Sequence, residues 1–221
     1  MAIEELELDL DLSAPVLPED VSRLIQESER WWDQFFASRS QRRFPRFVPS
    51  DAALVFAALD YVTRHELVSG RLFCEWGSGF GTATCLAALL GYEAYGIEIE
   101  PELAQLSSNM ARDLGIPVEI LCTSYIPDGY ESYSGVGGEE LVKFETFSFL
   151  SSDADPAPQY DGMGIEIAAI DLFFVYPWPD EQELMQNLFD AVAGEDAILI
   201  AYHSAKEICI YRKVLDRRDR I

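Results

Sequence analysis

At 221 residues, with 49% hydrophobic and 12% aromatic side chains, the chain has the apolar content for one packed domain with an N-terminal extension. Its 16 basic and 39 acidic residues leave a formal charge of −23, which works against nucleic acid and anionic membrane, since both are bound through Lys and Arg. The same charge favours a cationic partner, a small molecule or a protein, although its plainest role is to keep the protein soluble.

Cys74, Cys85, Cys122 and Cys209 form no C-x-x-C pair, and histidine occurs only at 65 and 203. This composition predicts reduced thiols and no metal site. No apolar run reaches membrane length and no leader-like segment opens the sequence, so a cytoplasmic location is expected.

In chain order, EELELDLDL (residues 4–12) alternates acid and leucine, which permits either a strand or a loose arm. A helix is predicted from Pro18 to Ser38, with Pro18 at its first position. Its apolar stripe is Val21, Leu24, Ile25, Trp32, Phe35 and Phe36, with Trp31 beside it. Such a helix either packs on the core or folds over a ligand. Prolines 45 and 49 separate it from a second helix, capped by Ser50 or Asp51 and reaching Val68.

From Arg71 the pattern becomes strand–helix–strand. RLFCEW is a strand, Gly77 to Gly81 a tight loop, and TATCLAALL a helix stopped by Gly91. EAYGIEI is a second strand. Glu100 caps the following helix, Pro101 starts it and Gly115 ends it; PVEILC is a third strand. Residues 125–160 read as an insertion with a hairpin, long enough to shape a pocket. IAAIDLFFVYP is a fourth strand. Asp180 and Glu183 form a capping box on a helix ended by Gly194, DAILIAYH is a fifth strand, and KEICIYRKVL adds one more. The repeated units predict an α/β fold with a doubly wound, mostly parallel sheet.

In such a sheet, ligands sit at the carboxyl ends of the strands. Glycines 77, 79 and 81 let the backbone turn tightly and present N–H groups at a helix N-terminus. The dinucleotide fingerprint needs a third glycine where this chain has Thr82, and Glu75 would repel a pyrophosphate. A carboxylate there suits an ammonium, and Glu98 at the end of the second strand suits ribose hydroxyls. S-adenosylmethionine has both groups.

EWGSGFG followed by GIEIEPEL resembles the donor-binding half of class I S-adenosylmethionine-dependent methyltransferases, over roughly residues 70–203. The resemblance implies a Rossmann-like domain at 70–221, preceded by an arm and helices at 1–69. It implies Glu75 near the donor's methionine, Gly77, Ser78, Gly79 and Gly81 beneath it, Glu98 on its ribose and Ile99 on its adenine. Ser124 stands where many members place an acid facing the adenine amino group. The chain also leaves little sequence for the antiparallel pair that usually closes the sheet. RFVPSD before the glycine loop is faintly similar to small protein-lysine methyltransferases.

YPWP, at the end of the fourth strand, departs from the Asn/Asp-Pro-Pro-aromatic run of amino-methylating members and resembles that of tRNA guanine-N7 methyltransferases. By this resemblance Tyr176 and Trp178 wall the acceptor. His203 is either a base at the end of the fifth strand or a structural histidine, and Asp171 begins the fourth strand away from the chemistry. The function expected is methyl transfer, with the acceptor undetermined and the acidity pointing to a cationic small molecule or protein side chain. The other reading is a non-catalytic methyltransferase-like domain binding a basic partner through its acidic surface. Aminopropyl transfer, which uses a related fold and donor, would need acids around a polyamine.

Overall fold

The computed structural model describes residues 3–7, 16–37, 47–127, 158–203 and 207–214. The hairpin expected within residues 125–160 falls largely outside them, as do Ser38, Ser204 and the end of the acidic arm.

A seven-stranded sheet carries the fold, in the order β1-β7-β6-β5-β2-β3-β4. Strands β2 (Leu72–Trp76), β3 (Glu93–Ile97), β4 (Val118–Leu121), β5 (Leu172–Val175) and β6 (Ile198–His203) are parallel. β7 (Glu207–Lys213) runs antiparallel to β6, and β1 (Ile3–Glu5) antiparallel to β7. The strand order reverses between β2 and β5, which places a crevice at their carboxyl ends.

Alternation along each strand sorts the core into two faces. Phe73, Leu172, Phe174, Ile198 and Ile200 join α1 (Glu19–Ala37), α2 (Ala52–Arg64), α3 (Thr82–Leu89) and α4 (Pro101–Leu114) on one face. Cys74, Trp76, Phe173, Val175 and Leu199 meet α5 (Gln182–Val192) on the other. Val21 and Leu24 of α1, and Leu54 to Leu59 of α2, lie in that first core, so the N-terminal helices are built into it.

The acidic arm resolves into a strand where it is described. Ile3 pairs with Lys213 and Glu5 with Tyr211, and Leu6 N donates to Ile210 O at 2.8 Å. The antiparallel side of the sheet is thus completed by β7 and, from the N-terminus, by β1.

Several boundaries differ from expectation. Pro18 stands just before α1 and its carbonyl accepts from Ser22 N at 2.9 Å. Asp51 caps α2, accepting from Ala53 N and Leu54 N, but the helix stops at Arg64. The fourth strand begins only at Leu172, because Ile167–Ala169 form a 3₁₀ turn packed beneath Gly194, where a Cβ would meet Ala168 O at 2.3 Å. The residue before α5 is Glu181, which makes no side-chain cap, so Asp180 and Glu183 build no capping box. That helix ends through an extended Ala193 rather than a left-handed glycine. Glu100 precedes α4 without capping it through its side chain, whereas Gly115 takes the expected left-handed turn. All four cysteines are free; Cys74 and Cys85 are buried and Cys122 is exposed.

β1 shields the β7 edge, which otherwise presents unpaired N–H and C=O groups. Deleting residues 1–7 is expected to cost on the order of 2 kcal/mol through the lost pairing and to promote self-association. Denaturant titration and light scattering check both. A deletion variant as stable and monodisperse as the parent would show that the strand is dispensable.

Candidate functional site

A cavity of about 770 Å³ opens at the carboxyl ends of β2, β3 and β5. Its floor includes Glu75, Gly77, Ser78 and Glu98; β5 and its following turn add Tyr176, Pro177 and Trp178; α1 and the segment before α2 cover it.

The glycine loop is shaped by backbone that only glycine adopts cheaply. Gly77, Gly79 and Gly81 have φ of 72°, 54° and 69°. A Cβ on Gly79 would lie 2.4 Å from Phe47, and one on Gly81 2.1 Å from Ser107 Oγ. A Cβ on Gly77 would meet nothing within 4 Å, so that side of the loop is open.

Two buried carboxyl groups at adjacent strand ends hold the loop and the first turn of α3. Glu98 accepts from Gly79 N at 2.7 Å through Oε2, and from Glu100 N at 2.9 Å through Oε1. Glu75 Oε2 accepts from Thr84 N at 2.8 Å and Thr84 Oγ1 at 2.6 Å, leaving Oε1 outside those bonds. Burial pushes the Glu75 carboxyl up to about 8; the Thr84 bonds oppose the rise and the charge of Glu98 adds to it. Burial also raises Glu98, against the backbone bonds from Glu100 and Gly79.

The roof is aromatic. Phe47 lies 4.8 Å from Phe80, and Phe35 lies 5.3 Å from Phe80, ring centre to ring centre, with Trp32 5.2 Å from Phe47. Ser28 on α1 hydrogen-bonds Thr82 at the start of α3 at 2.7 Å. α1 packs on the core through Trp31, and its Trp32 lines the cavity.

Glu75, Gly77, Ser78, Glu98, Ile99, Tyr176 and Trp178 all line this one cavity. Gly79 and Gly81 shape the loop behind it. Ser124 does not line it; its Oγ accepts from Ile126 N at 3.1 Å in a local turn, and the neighbouring Tyr125 lines the cavity instead. His203 does not line it either. Strand alternation turns Tyr202 toward the cavity and His203 to the opposite face, where its Nδ1 is buried without a partner among the described residues. Tyr202 packs edge-on to Tyr176 at 4.8 Å, so it and not His203 completes the wall. Asp171 has a structural role, accepting from Leu72 N at 2.9 Å. Thr84, Phe47 and Glu29 were not singled out by the motif, although Thr84 lies just inside the helix that the motif opens. Among the described residues no group of His, Cys, Asp and Glu could hold a metal ion, and no helix is long and apolar enough to cross a membrane.

Solved structures share the fold that carries this site. An RNA methyltransferase from Salinibacter ruber, in complex with S-adenosyl-L-homocysteine, matches with a TM-score of 0.50 at 14% identity, over 77% of this chain and 95% of its own. A hypothetical protein from Thermus thermophilus matches with a TM-score of 0.50 at 16% identity, over 77% of this chain and 90% of its own. No family model and no curated protein matches the sequence. The chain has the Rossmann-like fold of class I S-adenosylmethionine-dependent methyltransferases.

The folded site favours neutral Glu75, so between about 4.5 and about 8 the native protein holds a proton that the unfolded chain has lost. Stability therefore falls as pH rises through that window. Glu75→Gln, which can still accept from Thr84, is expected to flatten the slope in denaturation measured across pH. An unchanged slope would show that Glu75 is ionised in the folded protein throughout.

Proposed function

We propose that the cavity binds S-adenosylmethionine and that the protein transfers its methyl group to an acceptor held beside Tyr176 and Trp178. One observation carries this reading: Glu75 and Glu98, from neighbouring strand ends, line the same cavity as the open face of the glycine loop.

The donor's chemistry fits these residues. Glu75 is a buried carboxyl whose ionised form a nearby positive charge would stabilise beyond what the Thr84 bonds supply, and the donor carries an ammonium and a sulfonium. Glu98 retains lone pairs for ribose hydroxyls while bonded to Gly79 and Glu100. Ser78 Oγ is buried at the cavity floor without a hydrogen-bond partner among the described residues. Ile99, 44% exposed at the rim, offers an apolar surface to the adenine. When bound, the donor supplies a methyl group on a positively charged sulfur. The chain's part is to align the acceptor and exclude water, a contribution that needs no acid–base pair. Tyr176, Tyr202 and the roof of Trp32 and Phe47 support that role.

The Salinibacter ruber protein is an RNA methyltransferase. RNA is not carried over to this chain, because the formal charge of −23, and a described cavity lining without Lys, Arg or His, oppose a polyanion.

Calorimetry with S-adenosylmethionine, S-adenosylhomocysteine and NAD tests the reading. The first two are expected to bind and NAD not. If the ammonium meets Glu75, binding near neutral pH releases a proton, seen as a heat that varies with buffer ionisation enthalpy. Glu98→Ala should weaken donor binding about tenfold or more, the scale of hydrogen bonds to a charged group. Trp178→Ala should spare donor affinity and reduce turnover. Absence of donor binding would sink the reading.

A further inference from the structure

We propose that the acceptor is a small organic cation, an amine on an apolar or flat body, received between α1 and the turn after β5. This inference rests on the donor reading above and adds the class of substrate to it.

The cavity lining contains six carboxylates, Glu29, Asp51, Glu75, Glu98, Glu100 and Glu181, and no Lys, Arg or His among the described residues. Glu98 is tied to the glycine loop, and Glu75, which burial holds largely neutral, to Thr84 of α3. Asp51 caps α2, while Glu29 and Glu100 are exposed where they line the cavity, so that their charge meets whatever enters. Glu29 belongs to one face of α1, where Ile25, Ser28, Glu29 and Trp32 follow helical spacing and all line the cavity. Its side chain is in no ion pair or hydrogen bond among the described residues. A low-dielectric recess lined by one sign of charge concentrates the opposite sign.

The walls point the same way. Tyr176 and Tyr202 present rings in edge contact, with Trp178 beyond them on the rim and Trp32 on the roof. Aromatic faces attract cations and flat apolar bodies alike. Four large hydrophobic side chains are exposed among the described residues, and three of them, Val48, Ile99 and Trp178, line this cavity. Exposed acidic and apolar side chains lining the same cavity suit a ligand with a charged head and a carbon body. A volume of about 770 Å³ lies high in the range for small-molecule sites, which leaves room for a small acceptor beside the donor.

The transfer balances without a further reactant. The protonated amine gives its proton to water at the mouth of the cavity. The freed nitrogen lone pair forms the N–C bond to the methyl as the C–S bond breaks, and that electron pair stays on sulfur. One proton is released per turnover.

Benzylammonium and benzoate, with the same ring and opposite charge, are suitable probes. Each is titrated by calorimetry into the full-length protein with S-adenosylhomocysteine in excess, and S-adenosylhomocysteine is titrated separately. Benzylammonium is expected to bind and benzoate not. Glu29→Gln should weaken benzylammonium about threefold, and Trp178→Ala about fivefold. Equal or tighter binding of benzoate, or indifference of benzylammonium to both variants, overturns the proposal. Binding of S-adenosylhomocysteine without binding of benzylammonium overturns the cation site alone. The converse result removes the donor reading and leaves the cation site standing.

Discussion

Glu98 is the residue on which the site's shape depends. Its two oxygens tie the loop after β2 to the junction after β3, by accepting the backbone N–H groups of Gly79 and Glu100. Ser78 N adds a parallel link to Ile97 O at 2.8 Å. The arrangement requires glycine at 79, where φ is 54° and Phe47 occupies the space a side chain would need. It also requires a carboxylate in a place where burial disfavours its charge. The two backbone donors offset part of that penalty, and the lone pairs that remain are what a ligand would meet.

The N-terminal helices belong to this site as much as the sheet does. Phe35 on α1 and Phe47 before α2 pack edge-on to Phe80, in the middle of the glycine loop. Ser28 bonds the first residue of α3. Without these contacts the loop would be open above as well as at its mouth. The extension therefore shares the work of the strand ends: they set the floor and it sets the volume.

Much of this was legible in the sequence. The β2–α3–β3–α4–β4 run was readable because short apolar strands, glycines at turns and Pro101 at a helix start all signal locally. What could not be read depends on partners distant in sequence. Alternating acid and leucine in the arm fits a strand or a coil equally, and only pairing with β7 decides between them. IAAI has strand composition, but packing beneath Gly194 turns it into a 3₁₀ helix. His203 was assigned from its position at a strand end, where one residue of register reverses the face. The period-two rule, applied from Phe174 and Ile200, would have selected Tyr202. The roof was invisible for another reason: Trp32, Phe35, Phe47 and Phe80 look like ordinary core residues until their spatial neighbours are known.

The way the sheet is finished also has a bearing on the order of events during synthesis. Of the described strands β1 is made first, and its only neighbour in the sheet, β7, is made last. Until β7 has left the ribosome, the first residues of the arm have nowhere to dock, while β2, β3 and β4 can already pair. Joining the arm closes a loop spanning nearly the whole described chain, an entropic demand that grows only slowly with length. The earliest strand of the sheet is thus the piece best placed to register that the other strands have been made.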